Sequence, residues 1–351
     1  MVYNASTDLW YQYFNSDGYQ YLILSAVFGF RAFCATIGAL FNFGVVYTTI
    51  RNRNLRETCN ILIALECFFG LILDIGYYAS PFVAVSGQKF IRYEHCFWAL
   101  IIPCVCGDMA QFTMVAIAID RLIAVAFPLW FKQRANNRYL AIVISFIFGY
   151  GFYDLILRFI DYSYTKEIMV SCATNEMAQS FLGKIFKING LVLSGLLMSA
   201  YSLCWFMVFK LPTVSQYVEE WNRKLIKALC FIIALNLIGV FVRISVELIF
   251  QAFAIVDVFI RTPYSIVSSF FTIIVYSADG PLLFIVSTEY RTRLNQQFPW
   301  LTKLFGPIER NIIQVTPSSM NLQQQQMREE LFEFYICYVT YCIYHVKDIK
   351  L

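Results

Sequence analysis

The sequence predicts an all-α membrane protein, a bundle of seven transmembrane helices followed by a short amphipathic helix. Three observations carry this. Hydrophobic residues make up 59% of the 351 and charged residues 14%, against about 25% charged in a soluble domain. That is too little charge to cover a water-facing surface, so the chain reads as one membrane domain with little outside it. Seven apolar runs are each long enough to span a bilayer, whose hydrocarbon core of about 30 Å needs roughly 20 helical residues. Lys and Arg, finally, gather in alternate connecting loops. The net charge of +4 is modest, which argues against nucleic acid as a partner and leaves the lipid membrane as the first one.

Residues 1–18, "MVYNASTDLWYQYFNSDG", hold no Lys or Arg and no apolar h-region. They are not a cleavable signal peptide and read as an extracellular N-terminus, with the first membrane helix directing insertion. The membrane domain covers 19–288. Its apolar segments are 19–50, 59–85, 96–127, 139–160, 185–209, 225–253 and 263–288. Runs this long and apolar fit helices, which satisfy their own backbone in lipid. The loop after segment one has Arg51, Arg53 and Arg56, and the loop after segment three has Lys132, Arg134 and Arg138. The loop before segment six adds Lys210, Arg223, Lys224 and Lys227. On the opposite side Lys89, Arg92, Lys166, Lys184 and Lys187 are balanced by acids. The positive-inside rule then sets the N-terminus outside and the C-terminus inside. The sequon Asn4-Ala5-Ser6 falls on the outer side, a candidate glycosylation site.

The chain has eleven Cys. Cys67, Cys104, Cys106, Cys204 and Cys230 lie in apolar runs and read as small buried hydrophobes. Cys96, at the outer end of segment three, and Cys172, in the outer loop "DYSYTKEIMVSCATNEMAQS", face the oxidising side where disulfides persist. A bridge between them would fold that loop over the mouth of the bundle. Segment three is also a ruler. From Cys96 to Arg121 is roughly 38 Å at 1.5 Å per residue, slightly more than the hydrocarbon core. Asp120 and Arg121 therefore belong at the inner face.

Ionisable groups inside membrane helices are functional candidates. Asp154 and Arg158, and likewise Arg243 and Glu247, are four apart and share a face. They read as self-neutralising pairs or as lining for a polar ligand. Asp108 and Gln111 fall midway along segment three and are candidate cavity residues, with Arg243 and Glu247. Arg31 and Glu66 have no partner near in sequence. Asn42 reads as hydrogen-bonding glue between helices. Past the bundle, "STEYRTRLNQQF" spaces Tyr290, Leu294 and Phe298 four apart, which predicts an amphipathic helix over 289–299 on the inner leaflet. The cytoplasmic tail 300–351 reads as largely disordered, with "GPIERNIIQVTPSSMNLQQQQMREE" its polar part. Its stretch "LFEFYICYVTYCIYHV" is about 16 residues, short of a span.

Asn42 in "FNFGVV", Cys96 and Cys172 at their spacing, "IDRLIAVAFPLWF" and "DGPLLFIVSTEYR" resemble a rhodopsin-like G-protein-coupled receptor. The wording "CNILIALECFF", "IDRLIAVAFP" and "STEYR" is most similar to the nematode chemosensory receptors of serpentine receptor class sx. The resemblance covers roughly residues 39–293. It implies a plasma-membrane receptor, of the sensory cilium if chemosensory, taking an extracellular small molecule or peptide and activating a heterotrimeric G protein. It implies that Asp120 holds Arg121 at rest, that freed Arg121 meets Tyr201 and the G protein, and that Pro128 and Leu129 contact the G protein. Pro281 would kink segment seven, and Cys96 would bridge to Cys172. No cofactor is implied.

The departures are specific. The common Asp of segment two falls on Gly70, with Asp74 one turn further out. The Asn-Pro…Tyr pattern of segment seven reads Asp279-Gly280-Pro281 and ends on Phe284. Segment six has no Trp-Pro switch and carries Lys224 and Lys227 where an acid would lock Arg121. The Asp that anchors amines in related receptors is replaced by Pro103. A neuropeptide or transmitter receptor of the same fold is the close alternative. A seven-helix transporter would show inverted repeats with broken helices, and none is visible. A membrane hydrolase needs clustered His and acids, or a Gly-x-Ser-x-Gly elbow. The chain has two His and no such elbow, so an enzyme is not expected.

Overall fold

A computed structural model describes residues 19–88, 90–127, 130–131, 136–174, 177, 182–210, 273 and 277–299. Asn4, Pro128, Leu129, Arg243 and Glu247 lie outside the described residues, as do segment six and the tail. The helices are α1 (Tyr19–Arg51), α2 (Thr58–Gly76), α3 (Ala79–Val85), α4 (Tyr93–Ala126), α5 (Asn136–Thr165), α6 (Gly183–Lys210), α7 (Asp279–Val286) and α8 (Thr288–Gln297). A single 3-10 turn, Arg53–Leu55, links α1 to α2, and two short strands, β1 (Ile91–Arg92) and β2 (Met169–Val170), flank α4 and α5.

Among the described residues, Ser25–Arg51, Thr58–Val85, Tyr93–Ala126 and Asn137–Thr165 are long and apolar enough to cross a membrane. α6 contributes the shorter apolar stretch Ile188–Cys204. The most apolar part of α4 is 72% buried and that of α5 only 17%. α4 is therefore the central helix, and α5 a rim helix showing Phe146, Phe148, Phe152 and Ile156 outward. α4 packs on α2, α5 and α6, while α1 packs on α2, α7 and α8. The approach of α2 to α4 depends on Gly76, since a Cβ there would lie 2.5 Å from Pro103 Cβ.

The second segment, expected as one helix over 59–85, is two. α2 ends at Gly76, and the Tyr77 and Tyr78 amides tighten onto Asp74 and Ile75 before α3 begins. Pro81 explains the break: it has no N–H for the Tyr77 carbonyl and its ring crowds that carbonyl. Pro281, expected to kink segment seven, lies in the first turn of a helix. Ser277 is helical, Ala278 is a bend, and α7 restarts at Asp279 with Pro281 in its first turn, where a missing N–H costs nothing.

The loop between α5 and α6 is tied down. Ile91 and Arg92 pair antiparallel with Val170 and Met169, and the Tyr93 amide donates to the Ile168 carbonyl at 2.8 Å. At the other end α8 starts with Ser287, whose side chain accepts from the Tyr290 amide. Its apolar stripe is turned toward α1. Tyr290 and Leu294 are each 1% exposed. Leu294 fills the space beside Gly44, Phe298 lies 5.8 Å from the Tyr47 ring, and Thr48 donates to Gln297 at 2.9 Å.

Candidate functional site

Three polar regions line the inside of the fold, each built on the central α4 or on α2 beside it. The innermost is at the C-terminal end of α4. Asp120 is fully buried and Arg121 is 6% exposed. The Arg121 Nη2 donates to Asp120 Oδ2 at 2.9 Å. Phe131 closes one side with its ring 6.0 Å from the guanidinium carbon. The Cys59 thiol of α2 is within hydrogen-bond reach, and Tyr201 and Cys204 of α6 are neighbours. Arg121 Nε has no hydrogen-bond partner among the described residues.

The second region joins α1, α2 and the start of α7. Asn42 donates to Asp74 Oδ2 at 3.2 Å and accepts from the Gly280 amide at 3.1 Å. Ser277 donates to Asp74 Oδ1 at 2.7 Å. A Cβ on Gly280 would lie 2.7 Å from the Asn42 backbone nitrogen, so only glycine permits α7 to come this close. Asp74 thus reaches the cluster from one turn beyond Gly70, which the position of the carboxylate in sequence left open. Glu66 and Asp279 bring their carboxyls into contact, with the Cys67 thiol 3.5 Å from Glu66. No sequence signal marked this pair, since its members are 213 residues apart.

The third region lies between α4, α5, α6 and the outer loop. The expected Asp154–Arg158 pair is present, Nε to Oδ2 at 2.8 Å. Arg158 also forms an ion pair with Asp108 through Nη2. Its Nη1 reaches the Met177 carbonyl at 3.5 Å, and its guanidinium lies 4.7 Å over the Phe186 ring. Gln111, one turn down from Asp108, donates to the Gly190 carbonyl at 3.3 Å and to Ser194 at 3.1 Å. Tyr150 stacks on Phe112 at 4.7 Å. Of the expected cavity residues, Asp108 and Gln111 are brought together here.

Above this region the loop folds inward. Cys96 and Cys172 are bonded, with Cα atoms 5.4 Å apart. Ser80 donates to the Cys172 carbonyl at 2.7 Å. Thr174 bonds Arg31 at 3.4 Å, and Arg31 lies over the Tyr77 ring. Ser171, Cys172, Ala173 and Met177 are all buried. Thr174 and Met177 were missed in the sequence, although their places just after Cys172 carry them inward with the bridge. Cys67, Cys104, Cys106 and Cys204 are buried free thiols, while Cys230 lies outside the described residues. Among the described residues no group of His, Cys, Asp and Glu is arranged to hold a metal ion.

A stretch of 138 residues is 25% identical to the rhodopsin of Rana temporaria and 24% identical to that of Bufo bufo. The match covers 39% of this chain and 38% of each rhodopsin, so the chain spans well under half the length of these curated relatives. Residues 35–298 match the family model described as "Serpentine type 7TM GPCR chemoreceptor Srsx". That is well over half of the chain, and the protein belongs to the Srsx family of serpentine seven-transmembrane G-protein-coupled chemoreceptors.

Proposed function

We propose that this protein is a plasma-membrane chemosensory receptor that passes an extracellular ligand signal to a heterotrimeric G protein. The observation that carries the reading is the buried Asp120–Arg121 pair at the end of the central helix. An Arg that merely snorkelled to lipid phosphate would hold its head in the interface. This one is folded in against α2 and α6, held by a carboxylate it can leave. In this reading Arg121 is a two-state element, with Asp120 as its resting partner and the G protein as its active one. Pro128 and Leu129, in the stretch of sequence that follows, contact the G protein in this reading. The N-terminus is outside, Asn4 carries a glycan, and the sensory cilium is the site of action.

The test is basal and ligand-stimulated G-protein turnover in cells with matched surface expression. Arg121→Ala abolishes turnover with surface level near normal, and Arg121→Lys does not restore it, because a guanidinium fork is not replaced by a point charge. Full turnover from Arg121→Lys would make the residue a plain anchor and overturn the reading. An N-terminal epitope tag stains intact cells if the orientation is as stated.

A further inference from the structure

The region between α4, α5 and α6 holds two carboxylates against one guanidinium, and its parts are not equally enclosed. The side chains of Arg158 and Asp154 are 7% and 2% exposed, while that of Asp108 keeps 30% open. Asp108 is twelve residues below Cys96, about 18 Å along the helix, and so about midway through a core of about 30 Å. A carboxylate left open at that depth belongs on the interior side of the bundle, because a charge facing hydrocarbon is costly.

The directions of the surrounding bonds decide what that space accepts. Arg158 is engaged on every side, by Asp154, Asp108, the Met177 carbonyl and the Phe186 ring. An anionic ligand would have to break two ion pairs to reach it. The Gly190 carbonyl can only accept, which fixes the Gln111 amide with its nitrogen toward α6 and leaves Oε1 as an acceptor. Among the described residues the open groups are therefore acceptors, with one carboxylate in excess, beside the stacked Tyr150 and Phe112 rings.

We propose that Asp108 and Gln111 form the head-group subsite of the ligand cavity and that it takes a small organic ammonium ion. The ammonium donates to Asp108 and Gln111, its carbon skeleton lies along the Tyr150–Phe112 rings, and Arg158 with Asp154 closes the back. The subsite is five residues deeper along α4 than Pro103. The proposal rests on the receptor reading above, and its test does not need a G protein.

The full-length protein, purified in detergent, is heated with primary alkylammonium ions of two to eight carbons and with phenethylammonium. Alcohols and carboxylates on the same skeletons serve as the comparison. At least one ammonium ion raises Tm, and its matched alcohol and carboxylate do not. Asp108→Asn weakens that ammonium at least about tenfold, the order expected when a charge-assisted hydrogen bond is lost. Gln111→Leu weakens it less. If Asp108→Asn does not fold, Asp108→Glu keeps the charge, and ammonium binding persists with a shifted preference for chain length. The proposal is overturned if no ammonium ion in the series binds, if carboxylates or alcohols bind as well, or if Asp108→Asn or Asp108→Glu leaves affinity and length preference untouched. Failure of G-protein turnover, by contrast, bears only on Arg121.

Discussion

Arg158 on α5 and Arg121 on α4 are buried to the same extent, 6% exposed each, and each meets an aspartate. What differs is the number of groups that hold them. Arg158 has two carboxylates, a carbonyl and an aromatic face. Among the described residues, Arg121 has one carboxylate from its own neighbour in sequence, a thiol and a more distant ring, and its Nε has no hydrogen-bond partner. A buried ion pair with every bond filled resists change, since removing one partner strands a charge. An incompletely filled one can exchange partners at lower cost. If Arg121 is the switch proposed above, the same two residue types make a fixed post in one place and a movable catch in the other, and the number of bonds among the described residues is what separates them.

The largest effect expected from this contrast is on stability. Arg158→Ala strands two carboxylates and lowers stability by about 3–5 kcal/mol, read as a fall in Tm of the purified protein and in surface level. Arg121→Ala reverses the pattern, with a smaller fall in Tm and complete loss of G-protein turnover. If the two variants lose Tm equally, saturation does not distinguish them. Next in size, Asp120→Asn removes the resting partner and raises basal turnover, by about fivefold for each kcal/mol of bias lost. Unchanged basal turnover at equal surface level would mean that Asp120 is not the catch. The smallest effect concerns sodium. Both Asp74 oxygens already accept hydrogen bonds, from Ser277 and Asn42, so replacing sodium by a larger monovalent cation leaves agonist affinity nearly unchanged. A large sodium-specific shift abolished by Asp74→Asn would show that those bonds yield to an ion.

Contacts local in sequence were legible, and contacts across the bundle were not. Asp154 and Arg158 announce themselves by a spacing of four, and Asp120 with Arg121 by adjacency at the end of an apolar run. Tyr290, Leu294 and Phe298 announced a stripe but not its partner. Nothing in the stripe reveals that Gly44 leaves room for Leu294 on α1. Asp108 carries no sign that its counter-ion is Arg158, fifty residues on, because that pairing is set by how α4 crosses α5. The same holds for Asp74. Its distance from Gly70 suggested a displaced carboxylate, yet Asn42 and Ser277 approach from other helices and meet it where it is.

The uninterrupted middle of α4 has a mechanical consequence. Between Asp108 and Arg121 the chain reads "DMAQFTMVAIAIDR", with no proline and no glycine, and Pro103 lies above both. Thirteen residues make about 20 Å of stiff rod and a little over three and a half turns. At 100° per residue the two side chains point about 220° apart around the axis. With no proline or glycine to absorb it, a twist of the rod at Asp108 would be carried toward Arg121 along one continuous ladder of backbone bonds. Torque along a single helix needs no relay through the Trp and Pro that segment six lacks.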